Sequence, residues 1–173
     1  MTKELELRRH TDDDGDVLTD DGVRHALEVG QRLQDRYEVV VSTGAQRATQ
    51  TAACFLAAGC RGVDRGVVVE RGLRSDHEDR WKEAYQEAGG GALSDFKRVA
   101  ADFVEEEAKI LGEALRRVLD SLDDGGRALI VGHSPTNEAA VYGLTGQEIE
   151  PVSKGAGVLV VADGDRYEVR ALE

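Results

Sequence analysis

The chain has 173 residues with 40 % hydrophobic content, enough for a core of its own, and no apolar run near the ~20 residues of a membrane span. Its 34 acidic and 22 basic residues leave a net charge of −12, which repels nucleic acid and anionic membranes. The two cysteines, Cys54 and Cys60, are too few for a disulfide framework and have no histidine at ligand spacing, so reduced thiols are expected, with no metal and no cofactor.

The charged start MTKELELRRH reads as the opening of a cytoplasmic protein rather than a signal peptide. Leu5 to Arg9 alternate as a first strand, and HTDDDGDV is a polar loop. Thr19-Asp20-Asp21 opens a helix through Val23, Leu27, Gly30 and Leu33. Glu38–Ser42 is a short buried strand, Ala48–Ala58 a helix and Gly66–Glu70 a third strand. The segment from about Ser75 to Gly91, with Trp81 and Tyr85, reads as a helical insertion closing over something. A long helix from Ser94 to Leu122, with Gly112 a point of interruption, leads to a strand over Arg127–Gly132. Ser134-Pro135 has the form of an N-cap followed by a first helical residue. Gly157–Ala162 and Tyr167–Leu172 form a hairpin around Asp163-Gly164-Asp165. Alternating strands and helices predict a three-layer α/β/α sandwich with a mostly parallel sheet and a C-terminal antiparallel hairpin, in a single domain over residues 1–173.

Ligands of such sheets bind at the carboxyl ends of the strands. Arg9, His10 and Thr11 follow the first strand there, Ser42, Thr43 and Arg47 the second, Glu70 and the Arg71–Asp76 loop the third, and His133 and Ser134 the fourth. Two histidines and two arginines on one edge suit a phosphoryl group, because guanidinium forks bind its oxygens and a neutral imidazole can attack phosphorus.

In order along the chain, LRRHT, LTDDG, STGAQRATQTA and VGHSP resemble the motifs of the histidine phosphatase, or phosphoglycerate mutase-like, superfamily. The resemblance implies that His10 is the nucleophile, that Arg9, Arg47 and a protonated His133 surround the phosphoryl group, and that water resolves a phosphohistidine. Three departures stand out. Thr11 replaces a glycine, Gly44 replaces a proline, and Ser75 stands where the family often carries a proton-donating glutamate. Asp76 is then the best candidate donor, with Glu70 and Glu78 as alternatives. The short chain and modest insertion favour a phosphatase acting on a small phosphorylated substrate or a phosphohistidine protein. The alternatives are a mutase-type phosphotransferase and a non-catalytic phosphate-binding protein.

Competing readings of single features are weaker. Gly132-His133-Ser134 also resembles the start of a serine nucleophile elbow, but Pro135 lacks the N–H that elbow needs and no histidine follows His133. Arg8 reads as a solvated strand residue, Asp12 to Asp14 as a solvated turn, and His25 and His77 as surface or supporting residues.

Overall fold

The computed structural model describes residues 1–33, 36–59 and 62–173; Cys60, one of the two expected thiols, lies outside the described residues. Strand β1 (Lys3–Arg9) turns Leu5 and Leu7 to one face and Glu6 and Arg8 to the other. A hairpin of two-residue strands, β2 (Asp13–Asp14) and β3 (Val17–Leu18), occupies the stretch expected as plain loop. Helix α1 (Asp20–Arg32) starts at Thr19, whose side chain accepts from the Gly22 amide. Then follow β4 (Val39–Ser42), α2 (Gln46–Gly59), β5 (Val67–Val69), a 3₁₀ turn at Arg71–Leu73, and α3 (Glu78–Ala88). The chain closes with α4 (Leu93–Ser121), β6 (Arg127–Gly132), α5 (Thr136–Thr145), β7 (Gly157–Asp163) and β8 (Arg166–Leu172).

Six strands form one sheet in the order β5-β4-β6-β1-β7-β8. The first four run parallel, and β7 and β8 add antiparallel strands. Helices cover both faces. Ala26, Val29, Ala48 and Phe55 of α1 and α2 meet Val40, Leu129 and Val131 on one side. On the other, Trp81 of α3, Leu111 and Leu115 of α4, and Val141 of α5 meet Leu5, Leu7, Val41 and Ile130. The two sides use alternate residues of the same strands, as a pleated sheet requires.

Several local expectations are corrected. Helix α4 is irregular at Ala100 (φ −149°, ψ 50°), not at Gly112. Gly112 instead lets α4 cross α5 closely, since a Cβ there would lie 2.6 Å from the Gly143 backbone. Ser134 does not cap α5; Pro135 takes the cap position with no side-chain bond, and the Ser134 hydroxyl turns to Glu138. Arg8 is not solvated but buried, with Nε donating to Glu6 at 2.7 Å and a second nitrogen to the Gly155 carbonyl at 3.1 Å. Tyr37 completes this cluster by donating to the other Glu6 oxygen at 2.9 Å, so each buried charge there has a partner.

Candidate active site

Because β4, β6 and β1 are adjacent and parallel, their carboxyl ends bring Thr43, His133 and His10 side by side. The His10 and His133 rings lie 5.2 Å apart, centroid to centroid, tilted by 60°. The His10 amide donates to the Gly132 carbonyl at 2.9 Å, which stitches the two loops together. Its ring Nδ1 lies 2.8 Å from the Thr11 carbonyl. A carbonyl can only accept, so the proton sits on Nδ1 and Nε2 carries the lone pair. Burial, with Arg47 and Arg9 adding to it, lowers the His10 pKa below the ordinary histidine value; the Thr11 bond and Asp13 pull the other way. Asp13 comes within 3.8 Å of Nδ1.

His133 shares a 2.8 Å hydrogen bond with the Thr43 hydroxyl through Nε2, while its buried Nδ1 has no partner among the described residues. Burial, then Arg47, His10 and Arg74, push its pKa down to about 3. These surroundings favour the neutral imidazole over the protonated His133 that the resemblance implies around a phosphoryl group.

Arg47 sits in the first turn of α2. One guanidinium nitrogen donates to Asp16 at 2.8 Å, and the same carboxylate accepts the Gln46 and Arg47 amides at 3.2 and 3.3 Å. Asp16 thus caps α2 and holds the arginine at once. It was not singled out in the sequence, although α2 has no acidic residue in its first turn and needs an acceptor from elsewhere. Arg9 donates to the Val152 carbonyl at 3.0 Å, and its buried Nε has no partner among the described residues. Asp12 and Asp14 are exposed, as a solvated turn implies, and Lys154 bridges Asp12 and Asp13 at 2.9 and 3.3 Å beside His10.

A cleft of about 330 Å³ opens beside Arg47 and His133. Its far wall is α3, with Glu78, Trp81 and Tyr85, and its near wall is Ser134-Pro135-Thr136. Arg9 and His10 are not among the residues lining the cleft, but the His10 ring meets that of His133, which is. Of the three carboxylates considered as donors, Glu78 lines the cleft and accepts from Arg74 Nε at 2.7 Å. Asp76 is exposed and is not among the residues lining the cleft. Glu70 caps the Gly72 amide at 3.0 Å and pairs with Arg117. Ser134 donates to Glu138, so no histidine stands behind it as a serine hydrolase requires. Among the described residues no group of three histidine, cysteine or carboxylate side chains could hold a metal ion.

The sequence matches the histidine phosphatase superfamily (branch 1) over residues 2–158. The chain belongs to this superfamily. No curated protein matches it. Among solved structures it is similar to phosphoglycerate mutase from Bacillus anthracis (16% identity, 99% of this chain and 92% of that one, TM-score 0.70). It is also similar to phosphoserine phosphatase from Entamoeba histolytica in complex with 3-phosphoglyceric acid (16% identity, 99% and 97% covered, TM-score 0.67). A third is alpha-ribazole phosphatase from Shigella flexneri (19% identity, 98% and 95% covered, TM-score 0.60). At these identities the likeness carries the fold, shared by mutases and phosphatases.

Within the histidine phosphatase fold, the three departures have local causes. Gly44 adopts φ +94°, which proline cannot reach, so the loop after β4 takes a path of its own. Thr11 is buried and donates to the Gly22 carbonyl at 2.7 Å, which ties the end of β1 to the start of α1. Ser75 is backed by a carboxylate from another element: its hydroxyl donates to buried Glu107, which also accepts from Trp81 Nε1 at 2.9 Å.

Proposed function

We propose that this protein is a phosphatase that passes a phosphoryl group from its substrate to water through His10. The observation that carries the reading is the Nδ1–H to Thr11 carbonyl bond, which leaves Nε2 of a neutral, buried imidazole as the nucleophile. In the first step the Nε2–P bond forms as the bond from phosphorus to the leaving group breaks, its electron pair departing with that group. Arg47 stabilises the charge on the transferring oxygens, with the charge of Arg9, which His10 already feels, adding to it. The incoming phosphoryl charge raises the basicity of His133, which then donates to a phosphoryl oxygen.

In the second step water attacks phosphorus, the P–N bond breaks, and inorganic phosphate leaves. Glu78, the carboxylate at the cleft, takes the proton from that water in this account; Asp76, expected as the proton donor to the leaving group, is not among the residues lining the cleft. A phosphatase is favoured over a mutase because a mutase must shield its phosphohistidine from water. Here the cleft is flanked by one short helix, whose Tyr85 is 56% exposed. A cytoplasmic location and a small phosphorylated substrate or phosphoprotein go with this reading.

The test is release of inorganic phosphate from an aryl phosphate. The wild type should turn over, His10→Ala should not, and Glu78→Gln should lose about 10²-fold while Asp76→Asn loses little. A wild type that binds phosphate without turnover would make it a phosphate-binding protein instead. Equal losses at Asp76 and Glu78 would remove the special role of Glu78.

A further inference from the structure

Two serines line the cleft, and each is backed by a buried glutamate on a helix: Ser75 by Glu107 of α4, and Ser134 by Glu138 of α5. The pairs differ in what else the carboxylate meets. Glu107 also accepts from Trp81 Nε1 at 2.9 Å. Glu138 is 1 % exposed, and its buried Oε1 has no partner among the described residues. Arg9, at the end of β1, acts on Glu138 through its charge, and His133 on the adjoining loop is depressed to about 3 and so neutral beside it. A carboxylate held this way is costly to ionise. Burial pushes Glu138 up to about 7, against the pull of the Ser134 bond, the Arg9 charge and its own backbone N–H. Near neutral pH both forms are populated, and they treat Ser134 differently. The carboxylate accepts the Ser134 proton and turns the hydroxyl away from the cleft. The neutral carboxyl has an O–H of its own, which donates to Ser134 Oγ and frees the Ser134 O–H to donate into the cleft.

We propose that Ser134, with Glu138 behind it, delivers the proton to the leaving group. This rests on the phosphatase reading above, in which that proton has no other source: Ser75 stands where a donor glutamate could, and Asp76 does not line the cleft. In the first step Glu138 passes its proton to Ser134 Oγ while Ser134 passes its own to the leaving oxygen. The P–O bond breaks, its electron pair stays on that oxygen, and the group departs as an alcohol. Glu138 is left as a carboxylate in the field of Arg9, and regains a proton from solvent along the same path once the alcohol has gone. Glu78 keeps its separate task on the attacking water.

A departing alkoxide needs that proton, whereas 4-nitrophenolate does not. Ser134→Ala and Glu138→Gln should each lose about 10²-fold in kcat/KM on butyl phosphate and far less on 4-nitrophenyl phosphate. In the wild type, kcat/KM for butyl phosphate should fall as pH rises through about 7, because the neutral carboxyl is the donor, and that limb should be missing from both variants. The second ionisation of the substrate is common to all three proteins and leaves their difference untouched. Ser134→Ala removes a hydroxyl from a half-buried position and gives the answer by itself if Glu138→Gln does not fold. Equal losses on the two esters with the pH limb retained would make the pair structural and overturn the proposal, with the phosphatase reading left standing. Unchanged hydrolysis of butyl phosphate by the variants, or a wild type that hydrolyses the aryl ester alone, would overturn it in the same way. A wild type that turns over neither ester would strike at the phosphatase reading itself, and this inference would fall with it.

Discussion

A neutral imidazole attacks phosphorus only when its proton is held on the far nitrogen, and the Thr11 carbonyl does this for His10. Asp13 is the nearest carboxylate and raises the His10 pKa, while burial and the two arginines lower it. Removing the Asp13 charge should therefore lower that pKa further. In Asp13→Asn the acid limb of kcat/KM should move to lower pH, and in Arg47→Ala to higher pH; the His10 ring resonance followed by NMR should move the same way. Limbs that do not shift would place His10 outside the essential ionisation. Arg47→Ala should also cost about 2–4 kcal/mol of transition-state stabilisation, measured from kcat/KM. Arg47→Lys should recover little of it, because a lysine cannot serve Asp16 and a phosphoryl oxygen through one planar fork. A lysine variant near wild type would contradict that role. Asp16 itself escaped notice in the sequence because one acid among several in a polar loop has no distinguishing pattern. The sequence preferred Asp76 to Glu78 for a related reason: both flank the start of α3, and only the helix orientation decides which of them meets the cleft.

The junction from β6 into α5 holds two groups whose titrations oppose each other. His133 is depressed to about 3 by burial, so between that pH and its unfolded value of 6.5 the unfolded chain binds more protons and stability rises with pH. Burial raises the Glu138 carboxyl to about 7, against 4.5 unfolded, so across that interval stability falls as pH rises. The two slopes partly cancel in the wild type. Thermal melts from pH 4.5 to 7 should show Glu138→Gln losing stability on acidification more steeply than wild type. His133→Gln should lose less than wild type or gain, with each difference on the order of 2–4 kcal/mol over the window. Parallel curves for all three proteins would mean that neither group's pKa differs between the native and unfolded states.

Legibility followed element length. β1, β4, β5, β6 and the β7–β8 hairpin could be read because strand alternation or β-branched runs persist for three residues or more. β2 and β3 are too short to carry a period. The irregularity at Ala100 has no sequence signal, since alanine favours helix, and Gly112 suggested a break where it serves close packing instead.

At the scale of the whole molecule, the order β5-β4-β6-β1-β7-β8 does the gathering. It sets the ends of β4, β6 and β1 in a row, and β7 returns beside β1 so that the loop before it delivers Val152 to Arg9 and Lys154 to the Asp12–Asp13 turn. The parallel sheet, its helical cover and the convergence of His10, Arg47 and His133 could be argued from strand-end residues alone. The buried Arg8–Glu6–Tyr37 cluster could not, because alternation on β1 predicts a solvated face and the covering helices are distant in sequence. Two supports of the site, Asp16 and Lys154, were also hidden, since each acts across a tertiary contact; Thr43 was legible at the strand end, but its bond to His133 was not. The central claim is that the phosphoryl group rests covalently on His10 during turnover. Rapid quenching of the enzyme with a phosphate-labelled aryl ester, followed by peptide mapping, tests it directly. The account predicts an acid-labile, base-stable label on the peptide containing His10, absent from His10→Ala. Turnover with no covalent label, or a label on any other residue, would contradict it.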